Sequence, residues 1–149
     1  MLARVSDPDG SGVNVHRTYL ESGWKAAMAT PRKLMPGVIP DGSAVRLAEP
    51  DGRLGIAEGI ETALAVTRDF GVPCWAALNS TLLAKFICPP GVKEFIVFGD
   101  NDAKFGGQAA AYQCAHRNAT RRERPELVDV RIPYAIGTDW ADRPEAEAA

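Results

Sequence analysis

The segment Glu94-Phe95-Ile96-Val97-Phe98-Gly99-Asp100 constrains the fold more than any other part of the chain. An unbroken apolar run of aromatic and β-branched residues, too short for a buried helix, reads as a strand covered on both faces. Such strands belong to parallel sheets, whose crossover helices cover both sides. Residues 54–57 and 74–78 are further apolar runs, and 127–133 reads as a final strand. Between them lie helical stretches. One carries Ala63, Leu64, Val66 and Phe70 on one side and stops at Gly71-Val72-Pro73. A short helix is expected over 80–86. Another over 107–119 is rich in small residues, with Ala110, Ala111, Cys114 and Ala115 able to pack closely on a sheet. The expected architecture is α/β, a parallel sheet flanked by helices.

Residues 1–53 follow a different pattern. Turn clusters such as Asp7-Pro8-Asp9-Gly10, Pro40-Asp41-Gly42 and Pro50-Asp51-Gly52 punctuate them. Residues 13–20 alternate, placing Val13, Val15, Arg17 and Tyr19 on one face and Asn14, His16, Thr18 and Leu20 on the other. They read as a strand paired through the 7–12 turn with residues 3–6, and 43–48 reads as a further strand. The expected organisation is a small β-rich N-terminal lobe (1–53), the parallel-sheet domain (54–143) and an acidic tail (144–149).

Charge limits the function classes. Lysine and arginine number 17 against 19 aspartates and glutamates, a net charge of −2. Such a balance excludes holding nucleic acid by bulk positive charge, though not through metal ions. No apolar run approaches the ~20 residues of a membrane span, and the N-terminus lacks an apolar signal core. A cytoplasmic protein with no membrane partner is expected. Three cysteines without a CxxC pair, and two histidines, argue against a disulfide framework, a cysteine zinc site or a His-rich metal site.

The acidic residues stand where a parallel sheet gathers ligands, at the carboxyl ends of strands. Glu58 follows the 54–57 run and Asp100 and Asp102 follow the 94–99 run. If those strands are neighbours, the three converge. Carboxylates ~4 Å apart repel by roughly 4 kcal/mol at an effective dielectric near 20. Hard oxygen ligands without thiolate or imidazole would suit Mg²⁺ or Mn²⁺. Spacing alone leaves a second reading open, in which Asp100 and Asp102 cap the next helix and Glu58 is a solvated strand end.

Residues 57–65, followed by 96–110 with its Asp100-Asn101-Asp102, resemble the Toprim domain of DnaG-type primases, topoisomerases, OLD-type nucleases and RecR-type repair proteins. That signature is a glutamate and glycine after one strand and Asp-x-Asp after a later one. The likeness is nearest to phage and plasmid primases or primase-helicases. Residues 16–20, Lys33-Leu34-Met35-Pro36-Gly37, residues 42–47 and 137–142 also resemble segments of that group. The resemblance implies a Toprim fold over 54–143. It implies Glu58 as metal ligand or general acid/base, Asp100 and Asp102 as a Mg²⁺-binding pair, and Asp139 and Asp142 as late acids near the same metals. One departure is that an Asp common four residues after the glutamate is here Thr62, with Glu61 beside it.

Other residues carry two readings each. Lys104, just before Gly106-Gly107, suits a phosphate at a helix start or is a plain loop lysine. Arg117, Arg121, Arg122 and Arg124 could track a nucleic-acid backbone or form a solvated helix end. Trp140 could stack on a base or pack over the strand ends. The implied activity is metal-dependent nucleotidyl transfer of the DNA primase type on a DNA or RNA primer-template with nucleoside triphosphates. It would need zinc-binding or helicase modules from elsewhere, because no GxxxxGK[ST] is present. Two other readings stand beside it: a non-catalytic Toprim-like module docking on a replication or defence protein, and a small Toprim nuclease.

Overall fold

The computed structural model describes residues 1–142; the expected acidic tail lies outside the described residues. Ten strands and three helices run in the order β1 (Leu2–Ser6), β2 (Gly12–Thr18), β3 (Leu20–Glu21), β4 (Trp24–Lys25), β5 (Arg32–Leu34), β6 (Ala44–Val45), β7 (Arg53–Ala57), α1 (Ile60–Phe70), β8 (Cys74–Ala76), α2 (Ser80–Lys85), β9 (Glu94–Phe98), α3 (Gly106–Ala119) and β10 (Leu127–Arg131) among the described residues. The main sheet has the order β10-β9-β7-β8-β6-β1-β2-β5. Its first half is parallel; β6, β1, β2 and β5 join antiparallel. The N-terminal strands therefore extend the parallel sheet through the single Val45–Ala76 pairing.

The two-residue side-chain period of the central strands separates two cores. Leu54, Ile56, Trp75, Phe95 and Val97 face Leu82 and Leu83 of α2 and Ala110, Ala111 and Cys114 of α3. Ala57, Cys74, Ala76, Ile96 and Phe98 face Ile60, Ala63 and Val66 of α1, with Trp140 closing the end of that layer. All three cysteines are free and buried. No helix of the described residues is long and apolar enough to cross a membrane.

Local expectations are corrected in several places. Residues 13–20 do not form one strand: β2 ends at Thr18 and Leu20 starts a separate hairpin of β3 with β4. Leu20 is exposed, while His16 and Thr18 on the same nominal face are buried. The expected 43–48 strand shrinks to Ala44–Val45, and β5 was not foreseen. In α1, Leu64 points outward at 51% exposure. The buried stripe is Ile60, Thr62, Ala63, Ala65 and Val66, mostly small side chains that let the helix lie close to the sheet.

Candidate functional site

The chain steps from β7 outward to β8, then returns past β7 to β9 and β10. At such a reversal the connecting segments diverge, and a crevice opens beyond the carboxyl ends of the two strands. The residues leaving those ends are acidic. Glu58 follows β7 directly, and Asp100 follows β9 after Gly99. Ala57 pairs with Phe98 in parallel register, so both acids emerge at the same end of the sheet.

Hydrogen bonds then set the Asp100–Asp102 turn. Asp102 Oδ2 accepts the Gly107 N–H at 2.7 Å, so this carboxylate does cap the start of α3. Asn101 ties the turn to the segment after β10. Its N–H donates to the Thr138 carbonyl at 3.0 Å, and its carbonyl accepts the Gly137 N–H at 2.6 Å. Its side-chain amide donates to the carbonyls of Pro133 (2.8 Å) and Tyr134 (3.1 Å). Its Oδ1 accepts from Gln108 Nε2 at 2.7 Å. The segment held this way leads into Asp139 and Asp142, which close their own turn: the Asp139 N–H donates to Asp142 Oδ2 at 3.0 Å.

These carboxyls act on one another. Burial, then the charges of Glu58, Asp139, Asp102 and Asp142, push Asp100 up to about 7. Its Oδ1 is buried and has no hydrogen-bond partner among the described residues. Burial first, then Asp102, also raises Glu58; Arg32 opposes this and Asp139 adds to it. Carboxyls perturbed in this way at the carboxyl ends of parallel strands are the kind of group that functional sites use.

The donor set is all carboxylate, which suits a hard divalent cation, and the orphaned Asp100 oxygen is a group in want of a positive partner. Among the described residues, no three His, Cys, Asp or Glu side chains are already gathered to hold a metal ion. The fit is therefore one of chemistry and placement, and Glu58 and the aspartates would have to turn inward to grip an ion.

The remaining expected residues scatter. Lys104 is exposed in the loop between Asp102 and α3. Arg121 and Arg122 lie past the far end of α3, a 14-residue helix and so roughly 21 Å from its start. Trp140 is packed rather than free to stack on a base: it is buried, edge-on to Phe70 and Phe98 at 5.2 and 5.7 Å. Thr62 is buried, and Glu61 instead bridges Lys25 (3.0 Å) and Arg32 (3.3 Å). Sequence reasoning missed Arg32, whose charge reaches Glu58, Glu61 and the buried His16. It also missed Asn101; the only signal was its place between two acids.

Two family models cover most of the chain. That of the Toprim domain matches residues 53–149, and a domain of unknown function, DUF7146, matches 1–47. The chain belongs to the Toprim family. No curated protein matches it. Solved structures resemble this Toprim protein in fold. A DNA primase domain from Pseudomonas aeruginosa has TM-score 0.59 at 14% identity, over 98% of this chain and 46% of that one. The primase fragment of the bacteriophage T7 primase-helicase protein has TM-score 0.59 at 16% identity, over 95% and 55%. A DnaG primase catalytic domain bound to ssDNA has TM-score 0.57 at 14% identity, over 97% and 49%. The Toprim chain thus spans about half the length of these structures. Toprim domains generally bind divalent metals, which agrees with the carboxylate donor set above.

Proposed function

We propose that the chain is the Toprim module of a DNA primase, supporting Mg²⁺- or Mn²⁺-dependent nucleotidyl transfer in primer synthesis. One observation carries the reading: the buried Asp100 Oδ1, without a hydrogen-bond partner among the described residues and surrounded by the charges of Glu58, Asp139, Asp102 and Asp142. A divalent ion there would neutralise phosphate charge. Asp100 and Asp102 would hold it, with Asp139 and Asp142 near by. Glu58, whose carboxyl is raised by burial and by Asp102, would ligate or take the proton of an attacking hydroxyl. The fold likeness to primase cores supports this over the nuclease reading, since the neighbours' printed activities are priming. Templates, nucleoside triphosphates and further zinc-binding or helicase modules are the partners proposed.

The test is Glu58→Gln in primer synthesis, with the chain supplied with candidate primase partners, single-stranded template, nucleotides and Mn²⁺. A positioned acid–base group contributes ~10²-fold or more, so turnover should fall by that factor with the circular dichroism unchanged. Equal turnover removes Glu58 from the chemistry. Absence of synthesis with retained partner binding favours the docking module.

A further inference from the structure

α2 and α3 pack side by side on one face of the sheet, and a groove of about 830 Å³ runs between them on the outside. It begins at Gly106, the first residue of α3, and ends at Arg121. Its cationic or titratable side chains are Lys85, His116, Arg117 and Arg121, and no Asp or Glu lines it. In a chain of net charge −2 such a lining stands out: the cations gather toward the end of the groove where Arg117 meets the end of α2. Asp41, just outside, pairs with Lys85 at 3.0 Å.

Two of the cations are pinned. Arg117 Nε donates to the Ala84 carbonyl at 3.3 Å, and Arg121 Nη1 donates to the Cys88 carbonyl at 3.1 Å. A guanidinium has five donors in a fixed fork. Each of these contacts uses one and leaves a planar face of donors suited to phosphate oxygens.

An independent observation stands at the mouth. Phe105, the residue before Gly106, is 70% exposed and has φ 62°. An aromatic residue in the left-handed region is strained, while glycine or asparagine sits there at little cost. Glycines do follow, at 106 and 107, but neither has positive φ. Gly107 is required for another reason, since a Cβ on it would lie 2.7 Å from the Asp100 carbonyl oxygen. The strained position is thus filled by an exposed ring beside the acids. Strain kept at such a place points to use, and an exposed ring at one end of a groove with cations toward its other end matches a stacked base followed by its phosphates.

We infer that the groove between α2 and α3 is a track for single-stranded nucleic acid, with Phe105 stacking a base at its mouth and Lys85, Arg117 and Arg121 meeting phosphates along it. The inference rests on the proposed nucleic-acid function and deepens it. It gives the strand that lies over the acids a way out along α3.

The test is fluorescence anisotropy of a labelled single-stranded oligonucleotide with the full chain, in EDTA and in Mn²⁺, across a salt series. Each phosphate contact contributes about 0.7 to the slope of log K against log salt for single strands. Lys85→Gln, Arg117→Gln and Arg121→Gln should each lower the slope by about that amount, and the triple variant by about 2. Glutamine keeps a donor for the Ala84 and Cys88 carbonyls, and singles serve if the triple fails to fold. Phe105→Gly should weaken binding about tenfold or more at unchanged slope, with a melting temperature equal to or above the parent's. Phe105→Trp should keep the affinity. An unchanged slope in the cation variants, or unchanged affinity in Phe105→Gly, overturns the track while leaving the carboxylate site standing. A parent chain that binds no oligonucleotide even with Mn²⁺ overturns the proposed function along with it.

Discussion

Gly107 lies against Asp100 so closely that a Cβ placed on it would sit 2.7 Å from the Asp100 carbonyl oxygen and 3.0 Å from the Asp100 Cβ. The same glycine gives its N–H to Asp102 Oδ2. One residue of α3 therefore sets the position of both acids of the turn, and only a residue without a side chain can do so.

Gly107→Ala should consequently destabilise the protein by ~1–3 kcal/mol, the usual range for overpacking. Gly106→Ala should be milder, because its Cβ would meet only the movable Asp102 Oδ2, at 3.2 Å. Thermal unfolding of the two variants checks the order. A Gly107→Ala protein as stable as the parent would show that the turn can shift freely.

Asp100 gives a pH dependence with a definite sign. In the unfolded chain it loses its proton near 3.8, and in the folded protein near 7. Between these values the folded state binds more protons, so its contribution to stability falls as pH rises. In EDTA the melting temperature should be higher at about pH 5 than at about pH 8. Asp100→Asn should flatten this trend by raising the melting temperature at the higher pH and leaving the lower one little changed. Mn²⁺ should raise the parent's melting temperature more than the variant's.

How much of this was legible in the sequence varies with the physical cause. β7 and β9 were readable because burial on both faces leaves an uninterrupted apolar run, and the emergence of Glu58 and Asp100 at one end of the sheet followed from the parallel pairing of those strands. β3, β4 and β5 were not, because strands of two or three residues carry no side-chain period. Hydrophobicity alone misplaces Leu64, because α1 approaches the sheet through the smaller Ala63 and Thr62. The tie made by Asn101 and the left-handed Phe105 depend on tertiary hydrogen bonds and backbone geometry, which residue type alone does not encode.

Glu61 joins the N-terminal strands to α1 through Lys25 and Arg32, and all three side chains are at least a third exposed. Exposed pairs contribute little, typically ~0–1 kcal/mol each. Glu61→Gln should lower stability by about 1 kcal/mol or less, and the difference should vanish near 1 M salt. Mn²⁺ affinity should be unaffected, since Glu61 faces Lys25 and Arg32 rather than the carboxylates around Asp100. A large, salt-insensitive loss would mean that this bridge orders the lobe.

Asn101 should matter more than either flanking acid to the order of the segment after β10. Its side chain donates to Pro133 and Tyr134 and accepts from Gln108. Asn101→Ala removes all three contacts at ~1 kcal/mol each. The backbone bonds with Thr138 and Gly137 then hold the segment alone. Amide exchange at 133–138 should rise in that variant, and Mn²⁺ affinity should fall as Asp139 loses its fixed distance from Asp100. Asn101→Asp separates hydrogen bonding from charge. It keeps an acceptor for Gln108 but turns carboxylate oxygens toward two carbonyls, next to Asp100 and Asp102. In EDTA it should be less stable than Asn101→Ala, and Mn²⁺ should recover more of the loss, because a cation relieves repulsion but cannot restore the missing donors. Calorimetry with Mn²⁺ and exchange measured by mass spectrometry give both readouts. Parent-like exchange in Asn101→Ala would show that the segment is positioned by its backbone bonds, with the asparagine amide a passenger.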